Sequence, residues 1–149
     1  IRQMRHIALL AATCITLPGP ALSWEFTSTP ICTLSRSEET VDTIVTYDPA
    51  TAEYAIALTA KDSPWPRSAA FGIRFEGARP NLIVTERHQL SQEDRTLTVT
   101  DSGFGNVLNG LEFNDVAIAM TGDRAVAISL DEAADAVAAF RACIAAPIA

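Results

Sequence analysis

Lysine is almost missing from this chain: Lys61 is the only one in 149 residues, and arginine supplies the rest of the positive charge. None of the seven glycines is followed by lysine, so the phosphate-binding loop of nucleotide-dependent enzymes is excluded. With 18 acidic against 11 basic residues, the formal net charge is −7. That charge disfavours nucleic acid and anionic membrane surfaces as partners, because both are bound through clustered lysine and arginine.

Histidine and cysteine are scarce as well. The chain has two histidines, His6 and His88, and three cysteines, Cys14, Cys32 and Cys143. A metal centre needs several such donors close together, and no pair of them has the spacing of a zinc site. We therefore expect no metal ion and no cofactor.

Long apolar runs are limited to the first two dozen residues. Arg5 and His6 precede an apolar stretch over 7–17, followed by a Pro-Gly-Pro break and the small-residue tripeptide ending at Ser23. The stretch is shorter than the roughly 20 residues that a membrane-spanning helix needs. This pattern is typical of a secretory signal peptide over 1–23, and predicts a periplasmic or secreted protein. A lipid anchor on Cys14 is disfavoured, because Ala11-Ala12-Thr13 lacks the usual leucine and has no glycine, alanine or serine immediately before the cysteine.

The remainder, residues 24–149, has the length of a single domain with its own core. Loss of Arg2 and Arg5 with the signal peptide takes the formal net charge from −7 to −9. Two cysteines remain, Cys32 near the start and Cys143 near the end. In an oxidising compartment they are predicted to form a disulfide that ties the two ends together.

Most of the domain has the alternation of apolar and polar residues that is typical of β-strands. The predicted strands lie at 40–47, 53–61, 70–76, 81–89, 96–100, 116–120 and 125–130. Turn-forming residues at 48–51 and 121–124 predict two hairpins. About seven short strands joined by turns indicate a mainly β domain, an antiparallel sandwich or barrel.

The periodicity becomes helical after Ser129. Ser129 and Glu132 have the spacing of a capping box, and apolar residues then recur every three or four positions. A C-terminal helix from Leu130 to about Ala145 is predicted to pack on the sheet through Val137 and Phe140.

The segment 101–114 is rich in glycine, asparagine and phenylalanine. These residues favour a tight loop with a short helical turn, because glycine and asparagine tolerate unusual backbone angles. One hypothesis makes Asn106, Asn109 and Asn114 ligand-contacting amides. The alternative is a structural connection in which four apolar side chains fill the core, namely Phe104, Leu108, Leu111 and Phe113.

Charged side chains offer two further candidates. One hypothesis is a small hydrolase that uses His88 with a nearby serine or aspartate. The chain has no nucleophile-elbow motif, however, and a solvated histidine at a strand end is the simpler interpretation. Arg74, Arg87 and Arg95 are candidates for an anion site on one sheet face. The alternative is that these arginines pair with the abundant acidic residues.

Several short motifs carry a resemblance that covers nearly the whole domain. They are Trp24-Glu25-Phe26, Pro30-Ile31-Cys32-Thr33, Thr98-Val99-Thr100-Asp101, the stretch 104–111 and Ala139-Phe140-Arg141-Ala142-Cys143. On these residues the chain resembles a group of small, uncharacterised exported proteins of Gram-negative bacteria. Some of them carry the name of an excision-repair nuclease subunit. That name implies an ATP-driven enzyme bound to DNA, which this acidic chain without a phosphate loop does not fit.

The end of the chain has a second, more distant resemblance. Its order of a strand, a turn, a second strand and then an alanine-rich helix from Ser129 onward is similar to the end of periplasmic proteins of the invasion-associated locus B type. This resemblance implies a β-sandwich with a packed helix. The leading expectation is a non-enzymatic periplasmic binding or interaction module, with an envelope protein or a small ligand as partner. The alternatives are a small hydrolase using His88 and an envelope structural protein.

We predict cleavage after Ser23, because the small-residue tripeptide there suits signal peptidase. Intact-mass measurement of the exported protein should give a chain that begins at Trp24. A mass that includes an acylated Cys14 would contradict this.

Overall fold

The structure is a computed structural model that describes residues 11–15 and 23–146. Most of the predicted signal peptide lies outside these residues. Ten strands and two helices occur in the described part of the chain. In order they are β1 Glu25–Thr27, β2 Cys32–Ser37, β3 Val41–Asp48, β4 Glu53–Ala60, β5 Phe71–Gly77, β6 Asn81–Thr85, β7 Gln89–Ser91, β8 Thr96–Asp101, α1 Gly105–Phe113, β9 Asn114–Thr121, β10 Arg124–Ser129 and α2 Ala133–Ala145.

The strands form two antiparallel sheets that fit a sandwich. The six-stranded sheet has the order β1-β2-β3-β4-β8-β7, and the four-stranded sheet has the order β10-β9-β5-β6. The predicted mainly β class is therefore confirmed, and no closed barrel forms in the described chain. Both predicted hairpins are also confirmed, since β3 pairs with β4 and β9 pairs with β10.

The strand count is higher than the predicted seven for two reasons. The short strands β1 and β2 near the start of the domain were not predicted. The single strand predicted over 81–89 is divided, because the chain leaves the four-stranded sheet after Thr85 and joins the six-stranded sheet at Gln89. This crossover carries both Arg87 and His88.

Helix α2 begins later than the sequence predicts. Ser129 is the last residue of β10, where it pairs with Val116, and Glu132 has a left-handed backbone with φ of 60°. No side-chain cap hydrogen bond forms at this end, so the predicted capping box and the start at Leu130 are wrong. Sheet pairing holds Ser129 in an extended conformation that the local spacing does not reveal. The apolar stripe is confirmed, with Val137 and Phe140 fully buried.

The predicted disulfide is present. Cys32 at the start of β2 is bonded to Cys143 in α2, with their Cα atoms 6.0 Å apart. Helix α2 packs against β1 and β2 of the six-stranded sheet, so the bond holds the helix to the strands that it covers. A disulfide is compatible with an oxidising compartment.

Further contacts join the two sheets on the side of the sandwich where α2 packs. Arg36 of β2 lies 3.2 Å from Glu38, and both side chains are largely buried, with exposed fractions of 9% and 18%. The Glu38 carboxylate also accepts a hydrogen bond of 3.1 Å from the backbone N–H of Ser129. Trp24 donates its indole N–H to the carbonyl oxygen of Ser129, at 2.9 Å. Together these contacts hold the start and the end of the domain against each other.

The segment 101–114 contains a full helix, α1, instead of the short helical turn predicted there. Gly110 allows this helix to approach β5, because a Cβ at that position would clash with the Phe75 ring. If this segment is a structural connection, four of its apolar residues are expected to fill the core. Three of them are buried, namely Phe104, Leu108 and Leu111. Phe113 differs, since it is 36% exposed and lies under the Arg79 guanidinium at 4.1 Å.

Cys143→Ala should lower the free energy of unfolding by about 2 to 5 kcal/mol, because the closed loop spans 111 residues. The strands keep their own hairpin contacts, so the amides of α2 should lose protection from hydrogen exchange before those of β3 and β4. Denaturant unfolding with hydrogen exchange of the chain that begins at Trp24 tests this against the wild type, and Cys32→Ala, which removes the other sulfur of the same bond, should lose a similar amount. Equal stability of Cys143→Ala and the wild type would contradict the role assigned to the bond.

Candidate binding cleft between the sheets

A cavity of about 430 Å³ lies between the two sheets, on the side where β8 and β6 face each other. Its volume is within the roughly 300 to 1,000 Å³ range of pockets that take small organic ligands. We call it the intersheet cleft. Apolar side chains from both sheets and from the start of α1 form its walls, and polar groups of Thr85, Arg87, Asp101 and Asn106 lie at its rim.

The walls are built from two cross-strand pairs. In the six-stranded sheet, Ile56 of β4 lies opposite Val99 of β8. In the four-stranded sheet, Ile73 of β5 lies opposite Ile83 of β6. All four side chains line the cleft, as does Phe104, the residue before α1. Ile56, Ile73 and Phe104 are buried, whereas Val99 and Ile83 are only half-buried, because the sheets do not close over them.

An ion pair lies at the rim. Arg87, on the crossover between β6 and β7, places Nη2 3.0 Å from Oδ2 of Asp101 at the end of β8. The other carboxylate oxygen of Asp101 accepts a hydrogen bond of 2.7 Å from the backbone N–H of Ser102. Thr85 accepts a hydrogen bond of 3.1 Å from the backbone N–H of Arg87, which fixes the crossover at the end of β6. The pair thus ties the crossover to the opposite sheet.

Two glycines at the cleft have no structural need to be glycine. A Cβ added at Gly103 or Gly105 would meet no atom of the described chain within 4 Å, neighbouring residues aside, and neither residue has a φ in the left-handed region. Both line the cleft. This contrasts with Gly110, whose Cβ would clash with Phe75. The missing side chains at 103 and 105 leave backbone open to the cleft.

The three asparagines proposed as ligand contacts have different positions. Asn106 is exposed and lines the cleft. Asn109 accepts a hydrogen bond of 2.8 Å from Arg141 of α2, so it joins the two helices. Asn114 is 7% exposed, and its amide donates to the carbonyl oxygen of Gly110 and accepts from the backbone N–H of Arg79. Asn109 and Asn114 thus bond within the protein and do not line the cleft, so the structure does not bring the three amides together at one place. That they contact a ligand stays a prediction.

The three arginines do not line one sheet face, so the predicted anion site does not form. Arg74 belongs to β5 of the four-stranded sheet, and its Nη1 lies 3.9 Å from Glu76. Arg87 is on the crossover, and Arg95 precedes β8 in the other sheet. The division of the predicted 81–89 strand is the reason, because it places consecutive segments in different sheets.

His88 lies apart from the polar rim, in a shallow groove with Ser68 and Asp94. Its ring is half-buried and lies 6.1 Å from the Phe71 ring, and Nδ1 has no hydrogen-bond partner in the described part of the chain. The Asp94 carboxylate accepts hydrogen bonds from Arg67 at 2.9 and 3.2 Å, so it is engaged with that guanidinium. A triad would need Asp94 to orient the imidazole, and this geometry does not provide that contact.

A wider groove of about 730 Å³ runs beside β10, but its charged groups are used within the fold. The Arg124 guanidinium donates to the carbonyl oxygens of Ser63 and Pro64 and pairs with Asp62. The hydrogen bond from Arg124 lowers the pKa of Asp62 below its ordinary value. Arg124 also lies over the Trp65 ring, at 5.0 Å, so the guanidinium in this groove is already engaged by other parts of the protein.

Sequence reasoning missed the cleft walls. The alternation of residues in the strands indicates that Ile56, Ile73, Ile83 and Val99 point inward, but every inward residue has that signal. Only the packing of the sheets shows which of them remain uncovered.

No family model, curated protein or solved structure matches this chain. Across residues 11–15 and 23–146, no helix has the length and apolar character needed to cross a membrane. In the same residues, no three side chains of histidine, cysteine, aspartate or glutamate lie together as a metal site.

Proposed function

We propose that this protein is an exported, periplasmic binding module that holds a small, mostly apolar molecule in the intersheet cleft. The observation that carries the proposal is the pair of inward-facing side chains, Ile83 and Val99, that the fold leaves half-buried next to a cavity. Burying apolar surface contributes about 25 cal/mol per Å², so a ligand that covers both walls would gain binding free energy from each. The disulfide supports the compartment, because such bonds persist in oxidising environments.

The cleft supports binding better than turnover. Its charged rim residues, Arg87 and Asp101, are bonded to each other, and its walls are aliphatic and aromatic. The competing hydrolase would have to use His88, whose neighbour Asp94 is engaged by Arg67. Robust turnover of an ester, peptide or glycoside by the wild type, lost in His88→Ala, would overturn the choice of a non-enzymatic module.

Filling the cleft should weaken the binding of an uncharged apolar probe. Ile83→Trp places an indole against the cavity, whereas Leu82→Trp adds the same group on the outer face of the same strand, where Leu82 is 51% exposed. We expect N-phenyl-1-naphthylamine to bind the wild type and Leu82→Trp with similar affinity, and Ile83→Trp at least about tenfold more weakly, a difference of about 1.4 kcal/mol. Fluorescence titration measures all three affinities.

Circular dichroism and thermal unfolding of the same samples show whether each variant is folded. If the wild type shows no saturable binding of the probe, or if folded Ile83→Trp binds it as well as Leu82→Trp does, the proposed site is wrong.

Gly105→Ala separates folding from binding. Its Cβ meets no described atom, and glycine-to-alanine changes at compatible positions stabilise by about 0.4 to 1 kcal/mol. Gly105 lines the cleft, so we expect the added methyl group to crowd a bound ligand and probe affinity to fall severalfold, while the melting temperature holds or rises. Gly110→Ala, whose methyl group would clash with the Phe75 ring, should instead lower stability. Unchanged probe affinity in Gly105→Ala would show that the backbone at Gly105 is not part of the binding site.

A further inference from the structure

We infer that the ligand of the intersheet cleft carries an uncharged hydrogen-bonding head group on its apolar body, and that Asp101 discriminates against carboxylates of the same shape. This inference rests on the proposed function of the cleft. Amides and alcohols are the head groups that fit it, and fatty acids are disfavoured. The argument comes from the hydrogen-bonding capacity and the charge of the rim.

The rim retains free hydrogen-bonding groups after its internal contacts are counted. Arg87 has five N–H donors, and the contact with Asp101 uses only Nη2 of its guanidinium. Its side chain is 73% exposed, so the other donors are accessible from the mouth of the cleft. Asn106 is exposed, and its side-chain amide, which bonds to no other described residue, offers a donor and an acceptor. A head group with both a carbonyl and an N–H or O–H matches this set.

The charge at the rim is already balanced. Arg87 is the only cation that lines the described cleft, and the carboxylate of Asp101 lies 3.0 Å from it. A ligand carboxylate that reached Arg87 would approach Asp101 as well, and the three groups together would carry a net negative charge. Like charges brought together at a partly desolvated site are unfavourable. The formal net charge of −7 on the whole chain adds to the repulsion.

Asp101 can be neutralised with little change in shape. In Asp101→Asn, the amide oxygen can still accept the hydrogen bond from the backbone N–H of Ser102. The variant removes one negative charge and leaves Arg87 without a paired carboxylate at the rim. Asp135→Asn is the matched control, because Asp135 is exposed on α2, which packs against β1 and β2 and not against the cleft strands.

The test compares octanamide with octanoate, which have the same chain and nearly the same head-group shape. Each displaces N-phenyl-1-naphthylamine from the wild type, Asp101→Asn and Asp135→Asn at neutral pH and low salt. We expect the wild type to bind octanamide at least about tenfold more tightly than octanoate. Asp101→Asn should bind octanoate about tenfold more tightly than the wild type does, with octanamide changed by less than about twofold. Asp135→Asn should keep the wild-type ratio.

The outcomes separate this inference from the function on which it rests. If neither compound displaces the probe and the probe itself does not bind, the proposed function fails. If both displace it but octanoate binds the wild type as tightly as octanamide, the inference about the head group is overturned and the cleft stands. An equal gain of octanoate affinity in Asp101→Asn and Asp135→Asn would also overturn it, because the gain would then come from the net charge of the protein and not from the rim. Arg87→Gln in the Asp101→Asn background should cancel the gain for octanoate, which confirms the cation as its partner.

Discussion

The mismatch between a six-stranded and a four-stranded sheet is the constraint on which the rest of this structure depends. A sheet of six strands has more apolar inner face than four strands can cover, and uncovered apolar surface is unfavourable in water. At one side, helix α2 covers β1 and β2, and the Cys32–Cys143 bond holds it there. At the other side, β8 faces β6 across the intersheet cleft, and there the inner face remains partly open.

This division gives the two sides of the sandwich different characters. The covered side contains the disulfide, the hydrogen bond from Ser129 to Glu38 and the hydrogen bond from Trp24 to Ser129, which connect residues far apart in the chain. Such contacts restrict motion and stabilise the ends of the domain. The open side is crossed by the chain between β6 and β7, and the exposed ion pair between Arg87 and Asp101 joins this crossover to β8. Exposed pairs contribute little to stability, so the rim is suited to exchanging contacts with a ligand.

Local signals in the sequence predicted an element correctly where residues close together in the chain determine its structure. The hairpins at 48–51 and 121–124 and the buried stripe of Val137 and Phe140 were predicted correctly, because turn chemistry and periodicity act over a few residues. The start of α2 was wrong, because pairing with β9 holds Ser129 in a strand. The strand at 81–89 was divided for a similar reason: its last residue, Gln89, begins β7 and pairs with β8 of the other sheet, which no local pattern reveals.

The sequence by itself determined the class of the fold, the acidic charge and the disulfide, because alternation, composition and a lone pair of cysteines in the domain leave few alternatives. Of the candidate site it identified Asn106 and Arg87, but not their neighbours. Only the tertiary structure decided that Ile83 and Val99 stay uncovered and that Asp101 lies beside Arg87. The reason is physical: every inward apolar residue has the same pattern in sequence, and the relative size and placement of two sheets decide which of them are left open to a ligand.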